Sequence, residues 1–212
     1  MKLKIEPVPP FDFDLSARIF SEGDEQIRKY ENGRYWQVVR VNSKLILITI
    51  RSSGVVNRPE LTVDLKPNEV TDADKRMVRE IVSTLFNLKF DLNQFYRDAK
   101  ADRTLYALTE KLRGLKSPST LTVFEALIVS IIEQQISLNV AHVLETRVTR
   151  TFGDVLKVAH EIYCAFPTPQ SLASASIMQL RECGLSLKKA EYIRNISKLV
   201  ADEVLDLGIQ RL

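Results

Sequence analysis

The apolar positions of this chain change period near Pro67, and the change divides its expected architecture in two. Before Pro67 the pattern is strand-like. Lys2-Leu3-Lys4-Ile5 alternates, Pro9-Pro10 interrupts, and Asp14 is the expected cap of a short helix running to Phe20. Asn32-Gly33 is a strong turn signal. Residues 35–41 read as a strand, Asn42-Ser43 turns the chain into a second over 44–51, and 61–65, just after Pro59, form a third. The pattern predicts an antiparallel meander with one packed and one wet face.

After Pro67 every segment reads as helix. Thr71 and Asp74 are spaced as a cap, and Val70, Met77, Val78, Ile81, Val82 and Leu85 form a stripe that should cover the sheet. Asp91 is the expected cap of a helix with Leu92, Phe95 and Tyr96. Leu105, Leu108 and Leu112 mark another, stopped by Gly114, and Pro118 marks a linker. Residues 122–141 follow. Thr122 and Glu125 have capping-box spacing, and the run 123–132 is apolar on nearly every side, which predicts a helix buried over most of its surface. It ends in Glu133-Gln134-Gln135-Ile136-Ser137, where Ser137 caps a second helix reaching towards Phe152. Thr168 and Pro169 suit the cap and first position of a short helix. Gly184 suits the end of another, near 177–183, and Ser186 caps a last helix with Ala190, Ile193, Ile196 and Val200 inward. Leu205, Leu207, Ile209 and Leu212 are apolar enough to want burial.

Composition narrows the class. A length of 212 residues with 45% hydrophobic and 27% charged residues suits one large domain or two small ones with a proper core. The net charge of +3 permits a polyanionic partner without demanding one. Cys164 and Cys183 have no metal-ligand spacing and read as free thiols. His142 and His160 read as structural or exposed, and no metal is expected. The start of the chain is too polar and Pro-rich for a signal peptide. No apolar run reaches the roughly 18 residues of a spanning helix. A cytoplasmic, intracellular location is therefore expected, with no membrane partner.

The turn at 133–137 carries the candidate chemistry. A buried helix there delivers two neutral amides, Gln134 and Gln135, and the Ser137 hydroxyl. Such groups can bond bases or phosphates without fixing a charge; they could equally satisfy the backbone at two helix ends. Lys188 and Lys189, with Arg194 and Lys198, could contact phosphates or form a solvated basic face. Phe11 and Phe13 are better read as core than as a pocket lining.

These residues also carry a family resemblance. Ala126-Leu127-Ile128 through Glu133-Gln134-Gln135-Ile136-Ser137 and Ala141 resemble the corresponding segment of the helix-hairpin-helix DNA glycosylases, the 3-methyladenine DNA glycosylase II branch in particular. Further matches run in order: Pro9-Pro10-Phe11-Asp12, Leu85-Phe86-Asn87-Leu88 with Asp91-Leu92, Gly114-Leu115-Lys116, Phe152-Gly153, Phe166-Pro167-Thr168-Pro169, and Leu180 to Ser186 with Lys189-Ala190. The resemblance implies an α+β fold: an N-terminal antiparallel sheet with a helix layer, like half of the TATA-binding-protein fold, over 1–88, then an all-α glycosylase domain over 89–212. It implies excision of alkylated bases from double-stranded DNA, with the damaged nucleotide flipped out and Gln135, flanked by Gln134, wedged into the space. No cofactor is implied. Two family features are missing: the Gly-x-Gly hairpin and an aspartate a few tens of residues beyond it, which supports an oxocarbenium-like state. Gly208-Ile209-Gln210 resembles the hairpin only superficially. The chain thus resembles the N-terminal two-thirds of such an enzyme. No catalytic residue is nominated, the expected aspartate lies beyond Leu212, and the missing C-terminal portion is an expected partner. A carboxylate relocated to Glu133 or Asp154, or a non-catalytic DNA-binding or protein-interaction module complete at Leu212, are the alternatives.

Overall fold

A computed structural model describes residues 1–207, which form two compact units: Met1–Gly23 with Arg28–Ser119, and Asp24–Ile27 with Thr120 onward. Ile209 and Leu212, expected to be buried, and the Gly208-Ile209-Gln210 stretch lie outside the described residues.

In the first unit, β1 (Lys2–Ile5) leads to α1 (Phe13–Ala17) and a 3-10 turn over Arg18–Phe20. Then come β2 (Arg28–Glu31), β3 (Arg34–Val41), β4 (Lys44–Ser52) and β5 (Leu61–Lys66). The unit finishes with α2 (Asp72–Leu85), α3 (Asn93–Ala99) and α4 (Arg103–Lys111). The strands form one antiparallel sheet in the order β1-β5-β4-β3-β2. The α+β class and the meander are as expected. The cap of α1 is Asp12, which accepts from the Leu15 N–H at 2.9 Å, and not Asp14, whose carboxylate accepts from the Tyr30 hydroxyl. Asp91 accepts from the Asn93 N–H at 2.8 Å, but Leu92 holds the cap position of α3.

One packed face and one wet face describe β5, where Leu61, Val63 and Leu65 are buried and Thr62 and Asp64 half-buried. They do not describe β3. There Tyr35, Trp36, Gln37, Val38 and Val39 are all buried, so the central part of the sheet is covered on both sides. The Tyr35, Phe13 and Phe86 rings interlock, with Phe86 5.3 Å and 5.5 Å from the other two centroids. At α2 both halves of the Thr71–Asp74 capping box form. The Asp74 carboxylate also accepts from Asn42 at 3.0 Å and Lys44 at 3.4 Å, which ties the helix start to the β3–β4 turn. These bonds hold Asp74 well below the usual carboxylate range, the Thr71 backbone N–H foremost.

Lys116 closes this unit. It is 2% exposed, and its Nζ donates to the Val8 carbonyl at 2.8 Å and the Leu88 carbonyl at 3.1 Å. Its backbone N–H donates to Ser16 Oγ at 3.0 Å, and its ammonium lies 5.6 Å from the Phe11 ring centroid. Burial pushes its pKa down to about 8, partly opposed by the charge of Asp91. One side chain thus joins three distant segments of backbone.

Helix α4 follows its sequence signal and yet packs little. Asp102 caps it through the Thr104 and Leu105 N–H groups. Only Thr109 of its nine residues is buried. Leu105, Leu108 and Leu112 are 39%, 50% and 43% exposed, and Phe95 on α3 is 46% exposed.

The second unit contains α5 (Val123–Glu133), α6 (Leu138–Phe152), a hairpin of β6 (Val155–Val158) and β7 (Glu161–Cys164), α7 (Pro169–Ser174), α8 (Ile177–Glu182) and α9 (Leu187–Ala201). Its core gathers Phe124, Ile128, Ile131 and Ile132 of α5 with Leu144, Val148, Leu172, Leu180, Leu185, Ala190 and Ile193. Leu207 packs against that core. The hairpin corrects the expectation of helix throughout. It is pinned by the Cys164 N–H, which donates to the Gln26 carbonyl at 2.6 Å, and by the Ala165 N–H, which donates to the Asp154 carbonyl at 2.9 Å. The helix caps otherwise fall where expected: Thr168, Ser186 and, after α8, Gly184 with φ +99°. Among the described residues no helix is long and apolar enough to cross a membrane.

Candidate nucleic-acid interface

The turn between α5 and α6 is rigid below and open above. Thr122 Oγ1 accepts from the Glu125 N–H at 3.0 Å and starts α5. Ile128 and Ile132 are fully buried and Ile131 is 6% exposed, so the end of the helix is fixed by packing. Past Glu133 the backbone leaves the helix at Gln134, with ψ 127°, and Gln135 takes φ +57°. Ile136 then turns back against the core. Gln134, Gln135 and Ser137 are all exposed. Ser137 Oγ accepts from the Val140 N–H at 3.4 Å, a long and weak cap.

A left-handed backbone at a residue other than glycine, asparagine or aspartate is uncommon, and it costs about 1 kcal/mol relative to glycine. Here it falls between the buried Ile132 and Ile136, which packs against the core. Three apolar residues of α6 are exposed next in sequence: Leu138 at 65%, Val140 at 47% and Val143 at 49%. The periodic pattern gave no sign of them, because Leu138 lies three residues before the buried Ala141 and reads as part of the same stripe.

The two lysines at the start of α9 part company. Lys188 is exposed. Lys189 is half-buried, and its Nζ donates to the Ile132 carbonyl at 2.8 Å. Of the two, the structure thus brings Lys189 to the end of α5. Arg194 is half-buried with its Nε lacking a hydrogen-bond partner, and Lys198 is exposed. His142 and His160 are both exposed, Cys164 and Cys183 are buried free thiols, and burial pushes the Cys164 thiol up. Phe11 and Phe13, each 2% exposed, are core. Among the described residues no cluster of His, Cys, Asp and Glu could hold a metal ion.

Residues 128–212 match the family described as HhH-GPD superfamily base excision DNA repair protein. The chain is 29% identical over 198 residues to a DNA-3-methyladenine glycosylase of Bacillus subtilis, a match covering 91% of this chain and 64% of that protein. It therefore spans less than two thirds of that relative's length.

Two solved structures share the fold. The 3-methyladenine DNA glycosylase from Archaeoglobus fulgidus superposes with a TM-score of 0.81 at 24% identity, over 92% of this chain and 66% of that one. The Clostridium acetobutylicum 8-oxoguanine glycosylase/lyase, solved with double-stranded DNA containing cytosine opposite 8-oxoG, does so with a TM-score of 0.69 at 18% identity, over 98% and 67%.

Proposed function

We propose that this chain is the DNA-engaging part of a glycosylase for alkylated bases. It binds duplex DNA at the α5–α6 turn and holds the helix open around a flipped nucleotide. The observation that carries the reading is Gln135, an exposed amide on a left-handed backbone at the end of a fixed, buried helix. A flipped nucleotide leaves a gap between its neighbours, and the free energy of opening it is lowest at a damaged base. A rigidly held side chain can fill that gap. Gln134 and Ser137 are placed to bond bases or phosphates beside it, and Lys188 contributes a phosphate contact.

Hydrolysis of the glycosidic bond needs a carboxylate against a sugar with cationic character. Glu133 is half-buried at the turn. We assign the chemistry instead to polypeptide corresponding to the third of the Bacillus subtilis relative that this chain does not span. The α4 face exposes Leu105, Leu108 and Leu112. The same face supports the second reading, a protein-interaction module without chemistry.

Titration against an abasic duplex and the intact duplex, with an assay of base release from methylated DNA beside it, tests the reading. Tighter binding to the abasic duplex without base release is expected. Gln135→Ala should reduce the abasic preference by about tenfold, the worth of one well-placed contact, and leave intact-duplex binding nearly unchanged. Equal weakening of both would remove the wedge role. Base release by the chain alone would place the carboxylate within these residues.

A further inference from the structure

We propose that Lys189 is a positioning residue for the α5–α6 turn and not a phosphate ligand. The inference rests on the reading of that turn as the DNA wedge, and it follows from where the ammonium is held. Ile132 is one of the last four residues of α5, whose carbonyls have no partner within the helix. It is fully buried, so water does not readily serve its carbonyl, and an unmatched buried carbonyl is costly. Lys189 supplies the bond at 2.8 Å from the first turn of another helix.

The electrostatics explain the placement. At the start of α9 a positive charge faces the positive end of that helix's own dipole, which disfavours it. Ser186 caps α9 there through the Lys189 N–H at 3.3 Å. At the end of α5 the same charge meets the negative end of a dipole and carbonyls that have no partner within the helix, which favours it. The position of Lys189 is therefore accounted for by α5. Holding the Ile132 carbonyl fixes the last turn of α5, and Gln134 and Gln135 lie two and three residues beyond it. A wedge must keep its geometry against the restacking of the bases, so the point where the helix stops is the point that needs a tie.

Neighbouring Lys188 provides the internal control. It is exposed, one residue away, with the same charge. Lys189→Met keeps the apolar stem and removes the donor; Lys188→Met removes the other charge; Lys189→Arg keeps charge and donors. Amide hydrogen exchange over residues 133–137 in the DNA-free chain reads the clamp directly. Lys189→Met is expected to speed exchange there by about tenfold, the worth of one charge-assisted bond, while Lys188→Met leaves it unchanged and Lys189→Arg restores it.

Salt-dependent binding to abasic and intact duplexes gives the second readout. Lys189→Met should lower the abasic preference with no change in salt slope. Lys188→Met should reduce the slope by about 0.9 for both duplexes, as for one lost phosphate contact. Unchanged exchange in Lys189→Met, with a slope reduced on both duplexes, would overturn the proposal and make Lys189 a phosphate ligand. A wild-type chain with no abasic preference would instead remove the wedge reading, and the exchange measurement would still decide the clamp.

Discussion

Lys116 and Lys189 both act on backbone carbonyls, and their surroundings differ in one instructive respect. Lys116, in the sheet unit, is buried and binds two carbonyls, those of Val8 and Leu88. Lys189, in the helical unit, is half-buried and binds one, that of Ile132. Each lies near a residue of positive φ. Beside Lys116 that residue is Gly114, with φ +85°. Beyond Ile132 it is Gln135, with φ +57°. The first site uses the residue best suited to a left-handed backbone. The second keeps a long amide side chain at a conformational cost. Under the proposed wedge role the retained side chain is the one used for binding, whereas Gly114 is fitted to close packing of the backbone.

The largest effect is expected at Lys116. Lys116→Met leaves two buried carbonyls without their donor, and unmatched buried groups of this kind cost roughly 1–3 kcal/mol each. Part of that is offset because a buried charge disappears as well. A net loss of about 3 kcal/mol is expected, read by urea unfolding followed through Trp36. That residue is the chain's single tryptophan, 7% exposed on β3, and so reports on the sheet unit.

The same lysine predicts a pH dependence of definite sign. Its folded pKa is depressed from 10.5 to about 8. Below about pH 8 it is protonated whether the chain is folded or not, and the cost of burying the charge is constant. Between about pH 8 and 10.5 the unfolded chain binds more protons than the folded one. Stability relative to Lys116→Met therefore rises with pH across that window. A flat difference there would mean the ammonium is better solvated than its burial implies, and a falling one that its carbonyl bonds outweigh the burial.

Gly114→Ala is the next test, and it probes the glycine side of the comparison. An added Cβ would lie 2.7 Å from the Asp12 backbone nitrogen and 2.9 Å from the Phe11 carbonyl carbon. The Asp12 N–H donates to the Gly114 carbonyl at 2.7 Å, and the Gly114 N–H donates to the Tyr96 hydroxyl at 2.8 Å, so the backbone is held on both sides. Strain and displacement together should cost about 2 kcal/mol, again read at Trp36. A neutral result would show that the segment can shift, and Lys116 would then stand alone as the tie.

Neither tie was legible in the sequence, although much of the frame around them was. Thr122, Ser137, Thr168 and Ser186 announce helix starts because capping is local: the hydroxyl and the N–H it receives lie three residues apart. Gly184 announces a helix end for a similar reason. Lys116 and Lys189 act over 108 and 57 residues of chain, and no local pattern encodes such partners.

The β6–β7 hairpin went unread for a different reason. Its turn residue, Ala159 at φ +55°, carries no turn signal, and four-residue strands are too short for alternation to register. The burial of β3 on both faces was likewise hidden, since only tertiary packing decides whether a second layer covers a sheet. At α4 the pattern specified the helix correctly and said nothing of whether its stripe would find a partner. At the turn itself the residues could be nominated from sequence, but the left-handed backbone of Gln135 could not.

The smallest expected effect is the sharpest test of the comparison. Gln135→Gly places at the helical turn the residue that the sheet unit uses near Lys116. If the glutamine is strained, stability of the helical unit should rise, by about 0.5–1 kcal/mol. Part of the gain is cancelled because glycine loses more chain entropy on folding, and Ile136 and the Ile132–Lys189 bond hold the backbone in either case. Trp36 lies in the other unit, so far-UV circular dichroism and hydrogen exchange at α5 and α9 are the suitable readouts. DNA binding should move the opposite way, with the abasic preference lost as in Gln135→Ala, because neither variant has a side chain long enough to fill the gap. Opposite changes in stability and selectivity would identify the strain as retained for binding. A glycine variant that lost stability would mean the glutamine side chain itself supports the turn, and the contrast with Gly114 would then be one of packing at both sites.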